Sequence, residues 1–406
     1  MPRLCLKCKS ETRGSDYCPR CSRQMTAYRT KSFIEKFSDK KEMESSSPGV
    51  FVGLQEYPRL SVGILNPIQR QDAWQYDSPK FWSESDFRIE KIMDFRSSVI
   101  NSRGFTIAKR FDKQVEMAQE VAMASKPVDV EVEFKKRPFF RMNLDPFSPP
   151  VGAYGDIERA EITSSPSINT KIEKVVGETD LRAVEGVKIL YEKQIDENQI
   201  IKLLSVGTLG VGADRKLVPT RWSITATDDM VSKFRVEEVK NFSEDGNYAY
   251  FGGYLGNYYL ILFIPGVWSY ELFEIYAGSG KEKELKYSTD HEFFGGRKDY
   301  AQNCVGGYYA ARLGIADLMR CKKFQSSVLC LRFITDEYYA PLGVWVVREA
   351  TRKALKAKPL EFGDKDLMLH YAKIFAQKKF GIDLDGIFRK SLLLKELKTQ
   401  KRLSQF

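Results

Sequence analysis

Four cysteines near the N-terminus have the spacing of a metal-binding site. They form two Cys-x-x-Cys pairs, Cys5 with Cys8 and Cys18 with Cys21, and nine residues separate the pairs. Each pair can present two thiolates to one ion, and four thiolates in tetrahedral geometry close the coordination shell of zinc. The pattern therefore predicts a structural zinc site in residues 1–22. Two disulfides or a redox pair are the alternative, but nothing nearby has the pattern of a thioredoxin-like unit.

Basic residues surround these cysteines. Six of them occur in the first 23 residues: Arg3, Lys7, Lys9, Arg13, Arg20 and Arg23. Positive charge lowers the pKa of neighbouring thiols and can contact DNA phosphates. The cysteine module can therefore either bind DNA or serve only to fold the N-terminus, and the sequence leaves both options open.

The last seven residues match the pattern of a PCNA-interacting peptide, the segment by which many proteins bind the sliding clamp. Gln400, Leu403 and Phe406 occupy the positions of Gln-x-x-aliphatic-x-x-aromatic. A tight i→i+3 turn would bring Leu403 and Phe406 to one side, where both can enter a hydrophobic pocket. Such peptides usually end in two aromatic residues, and this chain has one, so we expect weaker binding. The alternative is a frayed basic tail that matches by chance.

Two adjacent carboxylates and an arginine are the main candidates for an active site in the middle of the chain. The sequence predicts a strand over 222–226 that would deliver Asp228 and Asp229 to its carboxyl end, where sites gather in open α/β sheets. Paired carboxylates can hold a divalent cation, and Arg221 can hold a phosphate. The alternative, which we favour, is a helix that begins here with Thr227 or Asp228 as its cap.

Cations lie on both sides of a pair of aromatic rings in one segment. Lys135, Lys136, Arg137 and Arg141 enclose a proline and two phenylalanines. Proteins that bind single-stranded nucleic acid combine these residue types, because cations contact phosphates while rings stack on bases. Buried rings beside a solvated run of charge account for the pattern equally well.

The remaining reactive residues give little support for catalysis. The chain has two histidines, His291 and His370, which lie far apart in sequence and exclude a histidine-rich metal centre. Three further cysteines are isolated from one another and are predicted to be core residues: Cys304, Cys321 and Cys330.

The composition is that of a globular protein with a basic excess. Of 406 residues, 43% are hydrophobic. The chain has 64 lysines and arginines and 54 aspartates and glutamates, which gives a net charge of +10. This excess favours a polyanion such as DNA as partner. The N-terminus lacks the apolar stretch of a signal peptide. The longest apolar run, over 258–267, is shorter than the roughly 20 residues that cross a bilayer. We predict a cytoplasmic, nucleoid-associated protein.

Changes in composition divide the chain into five parts. These are a zinc module, a charged helix and linker, a globular body that can split near residue 150, an amphipathic helix and the flexible clamp peptide: 1–22, 23–49, 50–384, 385–399 and 400–406. Strands and helices intersperse in the body without a regular βαβ alternation. The sequence therefore predicts an α+β or mixed α/β fold with a mixed sheet.

Hydrophobic periodicity predicts the elements of the body. Alternating or continuous apolar runs predict strands over 50–53, 60–65, 128–134, 188–191, 222–226, 248–255, 258–264, 269–275, 328–333 and 343–347. Spacings of three and four predict helices over 111–125, 171–185, 299–319, 346–357 and 365–399. Gly381 and Gly386 interrupt the last of these, and a final helix is predicted over 387–399.

The cysteine module and the C-terminal peptide together resemble the archaeal Nre family. Three internal stretches also look like that family: VFVG and LSVGILNP in 50–67, LVPTRWSITATDD in 217–229 and GGYYAARLGIADLM in 306–319. The resemblance covers nearly the whole chain. It implies a role in DNA-damage repair alongside the UvrABC excision system, exercised through PCNA.

Two functions fit these features. The first is an accessory factor that holds PCNA, contacts DNA and brings excision-repair proteins to damage. The second is a metal-dependent enzyme, or a sensor without catalysis, that binds DNA or a nucleotide in a pocket near 218–229. Because the two ends of the chain suit both functions, the arrangement of residues 218–229 has to discriminate between them.

Overall fold

The computed structural model of the protein describes residues 3–4, 11–12, 41–139, 152–277 and 285–399. The four predicted zinc ligands, Arg141 and the predicted clamp peptide lie outside these ranges. In the first two of the described ranges, strand β1 (Arg3–Leu4) pairs antiparallel with β2 (Glu11–Thr12).

Beyond residue 40 the described chain forms two compact units. We call them the N-terminal unit, which holds 41–231 and 340–342, and the C-terminal unit, which holds 232–339 and 343–399. The division falls within one helix, and the split predicted near residue 150 lies inside the N-terminal unit.

A mixed sheet of six strands forms the N-terminal unit, in the order β3-β7-β8-β6-β5-β4. Neighbouring strands are antiparallel, except that β6 and β8 are parallel. The strands are β3 (Glu42–Ser47), β4 (Val50–Glu56), β5 (Arg59–Pro67), β6 (Val99–Ile107), β7 (Val128–Phe134) and β8 (Ala153–Ile162). The helices are α1 (Pro79–Glu84), α2 (Ile89–Ser97), α3 (Lys113–Met123), α4 (Thr170–Gly177), α5 (Ala183–Glu192), α6 (Glu197–Ser205) and α7 (Thr220–Val239), the last of which contains the division between the units.

One face of this sheet and α3 enclose the core. As alternation predicts, β7 turns its valines and Phe134 into the core and its two glutamates to solvent. The spacing of α3 buries Val115, Ala118, Val121 and Ala122 against the same core, which confirms the predicted helix. Each fully buried valine or phenylalanine stabilises the fold by about 1.5–3 kcal/mol.

A second six-stranded mixed sheet forms the C-terminal unit, in the order β12-β11-β13-β10-β9-β14. Here β11 and β13 are parallel and the other neighbours antiparallel. The strands are β9 (Tyr248–Tyr254), β10 (Asn257–Ile264), β11 (Ser269–Tyr276), β12 (Tyr287–Glu292), β13 (Ser327–Ile334) and β14 (Leu360–Glu361). The helices are α8 (Val305–Lys322), α9 (Trp345–Lys356), α10 (Lys365–Phe380), α11 (Asp385–Lys390) and α12 (Leu392–Thr399).

The central strands of this sheet are covered on both faces. Helices α10, α11 and α12 pack on one face, where they share a core with alternate residues of β10, β11 and β13. On the opposite face, α9 approaches β9 so closely that a Cβ at Gly252 would lie 2.7 Å from Cα of Ala354. Coverage on both sides explains why these strands are continuously apolar and were predictable from sequence. The predicted mixed α/β class is confirmed.

Three predicted strands are wrong. Residues 188–191 lie in α5, residues 222–226 lie in α7, and residues 343–347 lead into α9, which begins at Trp345. Each is a short apolar or β-branched run, and such a run has the same appearance in a strand and in a buried helix. In α5 the buried side chains, Val187 and Leu190, are three residues apart, which is a helical spacing.

Several boundaries also differ from prediction. Residues 42–47, predicted to be linker, form an edge strand of the first sheet. The helix predicted over 171–185 is two helices, α4 and α5. The C-terminal helix breaks at Ser391, which caps α12 by accepting a hydrogen bond from the Leu394 N–H at 3.0 Å. Within the described ranges, no helix is both long and apolar enough to cross a bilayer.

Candidate nucleic-acid interface

The residues predicted to form an active site lie on α7. Because α7 begins at Thr220, Asp228 and Asp229 fall in its third turn, and both the predicted strand and the predicted cap are wrong. Asp228 is fully buried, Asp229 is half-buried and Arg221 is exposed. Adjacent helical residues point in different directions, so the two carboxylates do not face one ion. In the described part of the chain, no group of three metal-ligating side chains occurs.

The segment of alternating cations and rings leaves the end of β7 and returns to the sheet. The Lys135 N–H donates a hydrogen bond to the Asp156 carbonyl at 2.9 Å. Phe139 forms a β-bridge with Tyr154 on β8, with hydrogen bonds of 2.8 and 2.9 Å. Lys135, Lys136 and Arg137 are exposed, and the Phe139 side chain is 43% exposed. Phe139 is therefore a surface ring, which removes the buried-ring alternative at this position.

Strand β6 carries a second group of cations and rings beside that segment. Arg103 and Phe105 point away from the core, because their neighbours of the opposite parity pack toward α3. The Arg103 guanidinium lies over two rings, 4.6 Å from the centre of Tyr154 and 5.3 Å from that of Phe105. The rings of Tyr154 and Phe139 follow at 6.1 Å. We call Arg103, Phe105, Phe139 and Tyr154 the stacking surface.

The charge around the stacking surface is positive on two sides. Arg103 Nε donates a hydrogen bond to Asp156 at 3.2 Å, which fixes the guanidinium plane against the rings. Beyond β6, Lys109 and Arg110 are exposed, as is the cationic end of the segment after β7. Phe105 is 60% exposed, the largest value among the exposed apolar side chains. An exposed ring of this kind between cations can stack on a base while the cations contact phosphates.

The sequence pattern indicated one member of this surface, Phe139, and missed the other three. The segment after β7 stood out because its charges and rings are consecutive. Arg103, Phe105 and Tyr154 were missed because β6 and β8 were not predicted as strands. The signal was present in 103–107, where Arg, Phe and Ile alternate with Gly and Thr.

The isolated cysteines and histidines have structural surroundings. Cys304 and Cys330 are buried, as predicted, and burial raises the pKa of both thiols well above the usual range, so neither is a nucleophile. Cys321 is exposed, so its prediction as a core residue is wrong. His291 packs its ring against Phe293 at 5.2 Å. His370 borders an open groove of about 660 Å³ between α10, α11 and α12.

Two family models together match most of the chain. The model described as Archaeal Nre, N-terminal matches residues 13–280, and that described as Archaeal Nre, C-terminal matches residues 292–406. No solved structure matches the chain.

Alignments with individual proteins point to the same family. A protein named DNA repair protein NreB, from Archaeoglobus fulgidus, is 38% identical over 86% of this chain and 88% of its own length. Two proteins named DNA repair protein NreA are similar as well. The one from Archaeoglobus fulgidus is 34% identical over 86% of this chain and 91% of its own length. The one from Haloferax volcanii is 32% identical over 78% of this chain and 80% of its own length. The chain therefore belongs to the archaeal Nre family.

Proposed function

We propose that this protein is an accessory factor of DNA repair that contacts DNA and holds the sliding clamp PCNA. The names of three relatives, each of which aligns with most of this chain, support the repair role. The observation that carries the DNA contact is the stacking surface, because it presents exposed rings on one face of a sheet beside the exposed Lys135 and Lys136. The helical surroundings of Asp228 favour this function over a metal-dependent enzyme.

The clamp contact rests on the C-terminal peptide. Gln400, Leu403 and Phe406 supply the three anchoring positions, and Lys401 and Arg402 suit an acidic partner surface. Family resemblance adds excision-repair proteins of the UvrABC type as further partners. A factor tethered to the clamp would be concentrated at newly copied or repaired DNA, where such partners act.

The zinc site belongs to the same proposal. Four thiolates from Cys5, Cys8, Cys18 and Cys21 form a donor set that suits zinc and closes its coordination shell. Zinc would supply folding free energy to residues 1–22, and the basic residues around it would remain available for phosphates.

The test of the clamp contact is calorimetric titration of the organism's PCNA with the full-length protein. We expect micromolar affinity, and we expect Phe406→Ala to weaken it at least tenfold, because the ring is the main apolar anchor of the peptide. Ser404→Ala is the matched control, since this residue is not one of the three anchoring positions of the pattern, and it should bind as the unchanged protein does. If the intact chain shows no binding, the clamp contact is wrong and the tail matches the pattern by chance.

A further inference from the structure

We propose that the stacking surface binds single-stranded DNA along β6 and β8, and that an acidic half of the same sheet face keeps the strand on this path. This inference rests on the proposed DNA contact and names the form of DNA that the site takes. It adds that the sheet face has a basic side and an acidic side.

Four planar side chains form a continuous row across the sheet face. Phe139, Tyr154, Arg103 and Phe105 follow one another with separations of 6.1, 4.6 and 5.3 Å between ring centres or guanidinium carbon. The Arg103 side chain is only 18% exposed and packs on Tyr154 and Phe105, so it holds the row together. The exposed rings of Phe139 and Phe105 lie at the two ends of the row, which crosses from the cationic segment over β8 to β6, so bases of one strand can stack at both ends.

The sheet face that carries the stacking surface is too broad to enter a groove of duplex DNA. The rings stand on a face of a six-stranded sheet, whose strands are about 4.8 Å apart. The major groove of DNA is about 12 Å wide and admits an α-helix or two strands, so this face cannot enter it. In duplex DNA the bases are also stacked on each other and offer no free ring face. Unpaired bases can lie on the surface, so it suits a single strand.

The rest of the same sheet face is negatively charged. The exposed residues of β3, β7 and the end of β8 form what we call the acidic half: Glu42, Glu44, Glu131, Glu133 and Glu161. Glu42 lies directly opposite Glu133, and Glu44, Glu131 and Glu161 form one row across three strands. Like charges in opposite positions repel and cost stability.

Two arginines relieve only part of this repulsion. Arg70 contacts Glu44 at 2.6 Å, and Arg159 donates a hydrogen bond to Glu161 at 2.6 Å. The bond from Arg159 lowers the pKa of the Glu161 carboxyl. A phosphate backbone is repelled from β3 and β7 and attracted to the exposed Lys135 and Lys136. The boundary between the two halves sets the path of the strand.

The test is fluorescence anisotropy with the full-length protein and two labelled probes, oligothymidylate and a duplex of equal length. We expect tighter binding to the single strand. Phe105→Ala and Phe139→Ala should each weaken that binding about tenfold, because each removes a stacking ring. Phe105→Tyr, which keeps a ring, should retain it. Tyr276→Ala removes a ring of similar exposure from the C-terminal unit and should change nothing.

The acidic half supplies an independent arm of the same test. Neutralising it with Glu131→Gln and Glu133→Gln should tighten binding of the single strand severalfold at low salt. Duplex binding as tight as single-strand binding, unaffected by the ring variants, would overturn this inference and leave the DNA contact intact. Absence of binding to both probes would overturn the DNA contact itself. Thermal melting of each variant separates loss of a ring from loss of the fold.

Discussion

Gly307 leaves room for a buried ion pair in the C-terminal unit. Glu274 and Arg332 form this pair, both are about nine-tenths buried, and Arg332 Nε also donates a hydrogen bond to Asn257 at 3.1 Å. A Cβ at Gly307 would lie 2.6 Å from the Glu274 carboxylate. A buried pair of this kind contributes little net stability when intact, but disturbing one partner is costly because a charge is left without compensation. The small residue at 307 is therefore a requirement of the pair.

This requirement predicts the effect of a single methyl group. Gly307→Ala should lower the free energy of unfolding by about 1–3 kcal/mol, because the carboxylate must shift away from Arg332. Gly386→Ala in α11 is the matched control, since a Cβ there meets no atom within 4 Å. It should be neutral or stabilise the protein by up to about 1 kcal/mol, since alanine favours the helix. Urea unfolding followed by circular dichroism measures both changes, and equal changes would contradict the steric account.

A buried carboxylate on the sheet holds the start of the last helix. Glu271 on β11 is 1% exposed and accepts hydrogen bonds from the Leu392 and Leu393 N–H groups, each at 3.1 Å, and from the Ser391 hydroxyl. The first N–H groups of a helix lack partners within it and favour a negative charge. Glu271 thus ties α12, which precedes the predicted clamp peptide, to the centre of the C-terminal unit.

Replacing this carboxylate tests the attachment of α12. Glu271→Gln should lower the free energy of unfolding by about 1–2 kcal/mol, because an amide is a weaker acceptor and adds donors that the site does not need. Amide hydrogen exchange over 392–399 should accelerate more than exchange in the strands. Glu396→Gln, an exposed change on the same helix, serves as the comparison. Unchanged exchange in Glu271→Gln would show that packing of Leu393 and Leu394 alone holds the helix.

The elements differ in how far the sequence could predict them. Strands β4, β5, β7, β9, β10, β11 and β13 were predictable, because each is a long apolar or strictly alternating run with turn residues beside it. Strand β6 was missed because its outer face carries Asn101 and Arg103, which interrupt the apolar pattern. The segment 222–226 was assigned to a strand because its β-branched residues favour one locally, whereas the whole of α7 is helical in its tertiary setting. Because β6 and β8 were not predicted as strands, their members of the stacking surface, Arg103, Phe105 and Tyr154, were not predicted either.

Charge is distributed unevenly along the molecule, and this bears on how DNA binding responds to salt. The net charge of +10 is the sum of regions of opposite sign, one of which is the acidic half on the sheet of the N-terminal unit. Another is a strongly basic stretch, because residues 352–399 contain twelve lysines and arginines and only six aspartates and glutamates. Binding of a nucleic acid by the whole chain therefore combines stacking, which salt hardly affects, with phosphate contacts, which release counterions and weaken as salt rises.

The two contributions can be separated by the salt dependence of the affinity for single-stranded DNA. Each phosphate contact adds about 0.7 to the slope of log K against log salt. Lys135→Gln with Lys136→Gln removes two such contacts and should therefore flatten the slope by roughly 1.4 while reducing affinity most at low salt. Phe105→Ala should reduce affinity by the same factor at every salt concentration and leave the slope unchanged, because a stacked ring releases no ions.

A matched pair of lysines on α4 completes the comparison. Lys171 and Lys174 are exposed on α4, which contributes no residue to the stacking surface, so Lys171→Gln with Lys174→Gln removes the same charge from the molecule. If the lysines after β7 act through direct phosphate contacts, this control should change neither slope nor affinity appreciably. Equal flattening by both lysine pairs would mean that only the overall charge of the protein matters, and a flattened slope in Phe105→Ala would mean that the ring positions a cation rather than a base.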